Sequence, residues 1–408
     1  MKFAKEALFP ENPKWENAVK RENSIYNRSA DVRTEFGRDY TRIIHSMAYR
    51  RLKHKTQVFF SPKSDHICTR IEHVGHVESV SYTIGSYLGL NTELTRAISM
   101  GHDLGHAPFG HSGEGVLHRI AVNNEVKEGF WHERNSLHLV DDLELLEDDK
   151  SRRKNMNLTY AVRDGIIAHC GEVDENNLFP RDEAVDLKTF KKASDFSPYT
   201  WEGCVVKLAD KISYLGRDLE DALILKILTR EQLAELVKIL KEDKRLSGMS
   251  IEHINNTVLI SEFISDVCKN SNLEDGICLS EQRVHLMKLI KEFNYQHIYG
   301  HYRLAGYKEF AEVALNKIFD TLYMAYSGEK TPDEIKKASA YYPFMKSFLH
   351  WIEQYWELSG DFDEAKLKNK KIYNISENKV DYARAIIDYI SGMSDTYAEQ
   401  VYRTIINF

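Results

Sequence analysis

From Met100 to Glu114 the chain sets His102, Asp103, His106, His111 and Glu114 within fifteen positions, broken by Gly105, Pro108 and Gly110. Imidazole and carboxylate at this density support two kinds of chemistry. They can hold a divalent ion, and they can move protons near neutral pH. His102 and Asp103 are neighbours, and neighbours on a helix diverge by about 100°. Both reach one ion only beside a helix end or in a groove between helices.

More ligands must therefore come from elsewhere, and the elements upstream supply a geometry. His73 to Leu88 has a helical pattern, Gly89-Leu90-Asn91 gives a stop and an N-cap, and Thr92 to Asp103 carries a second helix. The first climbs about 22 Å and the second descends about 17 Å at 1.5 Å per residue. An antiparallel hairpin thus returns His102 to His73. A further candidate lies in Trp201 to Asp218, where Trp201, Val205, Leu208, Ile212, Leu215 and Leu219 mark a core face. Asp210, Tyr214 and Asp218 recur at i, i+4 and i+8 on another face, as a pocket wall would require. His73, His102, Asp103 and Asp210 form the candidate metal set. Manganese and magnesium are the first ions to consider, with iron, nickel, cobalt and zinc as alternatives. Such an ion acts as a Lewis acid on a phosphoryl oxygen and lowers the pKa of coordinated water.

The order of His73, His102-Asp103 and Asp210 resembles the HD-domain phosphohydrolases. Within them, Arg50-Arg51-Leu52 through Val58, Thr69 to His73, the Met100–Glu114 stretch, and Ala209-Asp210-Lys211 through Tyr214 resemble the deoxyguanosine triphosphate triphosphohydrolase (dGTPase) family. Arg163 to Ile166 and Gly392 to Ala398 resemble it too, so the similarity runs from about residue 39 to the C-terminus.

The resemblance implies roles. The position of His111 belongs to the family's hydrolytic machinery, with an acid at the position of Glu114 beside it. Physically, cleaving a phosphate ester needs a group that protonates the departing alkoxide or takes a proton from water, and Glu114 or Glu133 can fix such an imidazole's tautomer. His106 lies in the same stretch, where the simpler role of capping a helix end stays open. His132-Glu133 matches a second His-Glu pair found in some relatives, and a solvated helix start is the plain alternative. Arg70 and Lys211 match phosphate-contacting positions. Arg grips two oxygens where Lys acts as a point charge. Tyr214 matches a residue lying against the 2′ side of a deoxyribose, and Gln57 and Asp218 match partners of its 3′-hydroxyl; a close aromatic face rejects an added hydroxyl. Arg217 is either an ion pair or a substrate contact, and Tyr299 is a further pocket residue. His169 falls in a family motif and reads as polar packing.

Composition limits the remainder. Apolar residues make up 42% and charged residues 29%, ordinary for a globular protein with a sizeable core. A net charge of −7 argues against broad nonspecific nucleic-acid binding. Lys2, Lys5 and Glu6 stand where a signal peptide needs an apolar run, and no apolar stretch approaches membrane-spanning length. A cytoplasmic protein that avoids membranes is expected. Cys68, Cys170, Cys204, Cys268 and Cys278 are widely spaced and read as reduced packing residues.

The expected fold is all-α: an HD-domain helical bundle with additional C-terminal helices and one minor β-hairpin. Residues 1–38 read as an N-terminal arm, packed or mobile, 39–225 as the HD-domain catalytic core, and 226–408 as a helical region packed on it. The hairpin falls at 57–60 and 66–69, Asp148 to Asn157 reads as a surface loop, and long helices cover Ala338 to Leu358 and Val380 to Ile406. The expected activity is cleavage of a 2′-deoxynucleoside 5′-triphosphate to deoxynucleoside and triphosphate. dGTP is the first substrate implied. The family also implies homo-oligomers, hexamers or tetramers, some with allosteric nucleotide or single-stranded DNA sites. Two alternatives stand beside it: another HD phosphohydrolase acting on a nucleoside monophosphate or guanosine polyphosphate, and a noncatalytic nucleotide or single-stranded DNA binding protein.

Overall fold

Seventeen α-helices and one two-stranded sheet form the regular structure of the described residues. These residues are 2–23, 32–60, 66–127, 129–148, 151–170, 176–192, 194–356 and 369–407 of a computed structural model. The chain forms two units, neither continuous in sequence. The first comprises Met1–Thr41, Gln57–His102 and Thr159–Gly306, and the second Arg42–Thr56, Asp103–Leu158 and Tyr307–Phe408.

The first unit is organised on the hairpin of Arg70–Leu88 and Thr92–Gly101. Thr69 and Glu72 close the start of the first helix as a capping box, and Gly89 ends it at φ 86°. A left-handed residue there favours glycine. The Asn91 side chain then accepts from the N–H groups of Glu93 and Leu94 to start the second helix. Ser81 and Ser99 bond across the pair at 2.8 Å. The Trp201–Ile224 helix packs against both. It is buried on almost every side, with Glu202, Lys207, Asp210, Lys211 and Asp218 inside along with its apolar residues. A single core face was expected; the polar face is interior as well.

Glu202 accepts N–H bonds from Leu8 at 2.9 Å and Asn91 at 3.0 Å. Phe3 donates its N–H to the Leu88 carbonyl at 3.0 Å and sets its ring edge-on to Trp201. The first residues are thus packed rather than a loose tail. The Tyr160–Ala168 helix lies against Thr92–Gly101 at Gly165, where a Cβ would fall 2.5 Å from Ile98 Cδ1. Only a glycine admits that approach.

The second unit contains the Gly110–Asn123 and His132–His138 helices and four C-terminal ones: Thr331–Ala338, Phe344–Ile352, Lys379–Ser391 and Asp395–Ile406. Two expectations are corrected here. The single helix expected from Val380 to Ile406 is broken at Gly392–Ser394, because Ser394 turns extended and caps the last helix through the Tyr397 N–H. The helix expected from Ala338 to Leu358 begins only at Phe344, after Pro343, and residues 357 and 358 lie outside the described residues.

The minor hairpin exists, but not at 57–69. Leu145–Glu147 pairs antiparallel with Arg153–Asn155, in the run expected to be a loop. Asp148 closes it, accepting the Arg152 N–H on its side chain and donating its own N–H to the Arg152 carbonyl. Among the described residues 57–60 and 66–69 form no strand, and 61–65 lie outside them. The Cys68 N–H donates to the carboxylate of Asp221 and Thr69 caps the following helix, so pairing there goes no further than a single bridge residue at Thr69.

Candidate active site

In the first unit, three of the four sequence-derived ligands converge. His73 Nε2 lies 3.0 Å from Asp210 Oδ1, His102 Nε2 lies 3.7 Å from the same oxygen, and the two rings are 5.5 Å apart. All three side chains are buried. An ion with bonds of about 2.1 Å holds ligands about 3.0–3.4 Å apart in octahedral or tetrahedral arrangement, and these separations bracket that range. His102 Nδ1 is 2.6 Å from the Ser99 carbonyl, which assigns its proton there and leaves Nε2 as the donor nitrogen. Burial alone raises the pKa of Asp210, but the bond from His73 and the charges of His102 and His73 bring it below the usual value. The donor set fits a divalent ion. Asp103, next in the chain, begins the second segment of the other unit and is buried.

The side chains expected to line a pocket wall on the Trp201–Ile224 helix lie largely inside the unit. Arg70, Lys211 and Asp218 are buried, and Tyr214 is half-buried. The Tyr299 hydroxyl donates to Asp218 Oδ2 at 2.5 Å, which brings the two residues together. Burial and the neighbouring Asp218 charge push the Tyr299 phenol well above its ordinary pKa, which keeps it a donor. Gln57 Oε1 is shielded from solvent and has no hydrogen-bond partner among the described residues. Arg217 pairs with Glu220 at 2.5 Å and approaches His76 Nδ1 at 3.1 Å.

In the second unit, His106, His111, Glu114 and His132 gather around one carboxylate. Glu114 Oε2 is 3.2 Å from His111 Nδ1. Its Oε1 accepts the His132 backbone N–H at 2.9 Å and lies 3.1 Å from His132 Nδ1. Glu133 Oε2 stands 3.4 Å from the same nitrogen. The His106 and His132 rings stack at 3.9 Å, and His106 Nε2 is 3.0 Å from Asp103 Oδ1. Burial by itself lowers the pKa of His132, but the charges of Glu133 and Glu114 overcome it and lift the value to about 10. Burial raises Glu114, and its histidine partners outweigh that and hold it well below the ordinary value. Near neutral pH the pair is an imidazolium and a carboxylate.

The loop that presents these histidines is locked by its own backbone. Gly105 donates its N–H to Ser136 Oγ at 2.9 Å and its carbonyl accepts from Asn135 Nδ2 at 2.7 Å. A Cβ on Gly105 would meet the Ser136 nitrogen at 2.1 Å, and one on Gly113 would meet the Pro108 oxygen at 1.8 Å. Phe109 stands at φ 68°, its N–H held by Asp395 at 2.8 Å. The buried ammonium of Lys55 donates to the carbonyl of His106 and, at 2.8 Å, to that of Ser391. Sequence reasoning missed Lys55 and Asp395 as supports. Both lay in segments that carried the family resemblance.

Known proteins resemble the chain along most of its length. Residues 70–215 match the HD domain, and 360–404 match the phosphohydrolase-associated domain. A deoxyguanosinetriphosphate triphosphohydrolase-like protein of Caldanaerobacter subterraneus subsp. tengcongensis is 33% identical over 378 residues, covering 92% of this chain and 86% of the relative. The chain belongs to the deoxyguanosinetriphosphate triphosphohydrolase-like family. Its Clostridium tetani member is 31% identical over 402 residues, covering 98% of this chain and 93% of the relative. The Desulfatibacillum aliphaticivorans member is 38% identical over 272 residues, covering 66% and 67%. The HD match begins at Arg70 and takes in His73, His102, Asp103 and Asp210. As a member of the family the chain is a hydrolase. No helix among its described residues is long and apolar enough to cross a membrane.

Proposed function

We propose that the protein is a metal-dependent deoxynucleoside triphosphate triphosphohydrolase, releasing deoxynucleoside and inorganic triphosphate, with dGTP the first substrate to consider. The observation that carries this reading is the order of groups on successive turns of one helix. Asp210 stands with His73 and His102, Lys211 follows at once, and Tyr214 and the Asp218–Tyr299 pair come one and two turns later. Eight residues of helix span about 12 Å, the scale of a nucleotide from its phosphates to its sugar.

In this reading His73, His102 and Asp210, with Asp103 adjacent in the chain, hold the divalent ion. Manganese or magnesium best suits this oxygen-and-imidazole set and its phosphate substrate. The ion supplies Lewis acidity at the phosphoryl group and a water of lowered pKa. Arg70 and Lys211 bind phosphate oxygens, Arg in two-pronged fashion. Tyr214 lies against the 2′ side of the sugar and excludes a ribose hydroxyl, while Asp218, braced by Tyr299, and Gln57 take the 3′-hydroxyl. His111, oriented through Nδ1 by Glu114, delivers a proton at the ester oxygen, and the bond between that oxygen and the α-phosphorus breaks as the oxygen of a water molecule bonds to the phosphorus in its place. His132, with Glu133, holds Glu114 ionised.

Product analysis by anion exchange tests the proposal. Protein stripped of metal and resupplied with manganese is incubated with each of four deoxynucleoside triphosphates and with GTP. Deoxynucleoside and triphosphate appearing together, with GTP spared, is the expected result. Orthophosphate or pyrophosphate as product refutes the assignment to the α-phosphorus.

A further inference from the structure

His169 terminates the Tyr160–Ala168 helix as His102 terminates Thr92–Gly101. The likeness is close at the atomic level. Each ring places Nδ1 2.6 Å from the carbonyl three residues back, Ile166 for His169 and Ser99 for His102. With Nδ1 engaged in that way, Nε2 is the nitrogen each ring offers as a ligand. The rings meet edge to face at 4.8 Å, and the donor atoms of His102, His169 and Asp210 lie within 4.8 Å of one another. His169 is 1% exposed, so its imidazole is committed to this interior.

The surrounding structure holds that position firmly. Asp164 on the same helix pairs with Arg181 at 2.5 Å and accepts the Tyr199 N–H at 2.7 Å. Gly165 rests on Ile98 at a distance no side chain could share. The helix is thereby pressed against the one that ends in His102. Two helix C-termini, each carrying partial negative charge on its last carbonyls, converge on the same carboxylate, an arrangement that favours a cation.

We infer that His169 is a ligand of the divalent ion assigned above to His73, His102 and Asp210. The inference rests on that reading of the metal centre and adds a third imidazole to it. Polar packing alone does not account for a tautomer fixed in the same way as that of His102.

Two measurements on the full-length protein test it without substrate. Metal-free protein is titrated with manganese while electron paramagnetic resonance reads the free ion, and pulsed spectra of the bound ion count the coupled imidazole nitrogens. Three imidazoles are expected in the unaltered protein, and a count of two overturns the inference even if no variant folds. His169→Asn keeps an N–H donor for the Ile166 carbonyl but has nothing at the Nε2 position. It should weaken manganese binding about 10- to 100-fold and remove one imidazole from the count. His169→Gln, which restores a polar atom there, should recover part of the affinity. Unchanged affinity and count in a folded His169→Asn protein overturn the inference while the wider metal reading stands. If the unaltered protein leaves manganese in solution, both fail, and the product analysis reports separately on the reaction.

Discussion

Around Asp210 the imidazoles of His73 and His102 are 2% and 0% exposed, and the hairpin fixes where both can point. Around Glu114 the rings share one ionised carboxylate, and the His111 side chain stays 57% exposed. The difference matches the two tasks proposed for these groups. A centre that binds an ion gains from lone pairs set before the ion arrives. A centre that moves a proton needs one face open to its substrate and a partner that holds the tautomer.

Breaking the first group should have the largest effect. Asp210→Ala removes the oxygen shared by His73 and His102, and with it the Lewis-acid contribution of several kcal/mol. Turnover should fall about a thousandfold or more, with bound manganese lost when metal content is measured by mass spectrometry. The second group should respond differently. His111→Gln should lower kcat about 100- to 10,000-fold and leave metal content unchanged. If it lost the metal too, the division of labour between the groups would be wrong.

A gentler change sharpens the comparison through pH. His132 carries its proton in the folded protein up to about pH 10, whereas its ordinary value is 6.5. The stability it contributes is full below pH 6.5 and is lost as pH rises toward 10. Glu114 acts in the opposite range, its contribution present above its ordinary 4.5 and lost as acid protonates it. Glu114→Gln should therefore flatten the fall in melting temperature between pH 6.5 and 10, as well as slow turnover. A curve parallel to the unaltered protein would show that the ion pair adds nothing. The smallest effect belongs to the scaffold. Asn91→Ala removes the cap of Thr92–Gly101 and the 2.7 Å bond to the Leu8 carbonyl. It should cost about 1–2 kcal/mol in urea denaturation and change kcat little.

The metal hairpin was legible because its punctuation is local. Gly89 and Asn91 carry their own instructions, and the return of His102 to His73 follows from helix rise alone. The face of Asp210, Tyr214 and Asp218 was legible for the same reason. What escaped depended on distant partners. Residues 66–69 look like a strand until Asp221 takes the Cys68 N–H, and the polar run from Asp148 looks like a loop until Asp148 closes the hairpin through Arg152. His169 falls in a family motif, but its neighbours in sequence carry no sign of a ligand. Its place beside His102 arises only after the chain has made a long excursion from that residue.

Lys55 and Asp395 tie a short turn to residues distant from it in the chain. The turn carrying His106 and His111 is pinned by an ammonium that also needs the carbonyl of Ser391, and by a carboxylate at Asp395 that also holds the Thr56 N–H. Every residue assigned above to ion, substrate or proton transfer lies before Gly300 in the chain, yet the turn that presents His106 and His111 is closed by Ser391 and Asp395, far downstream. A change remote in sequence from the proposed chemistry can therefore loosen the loop that carries it.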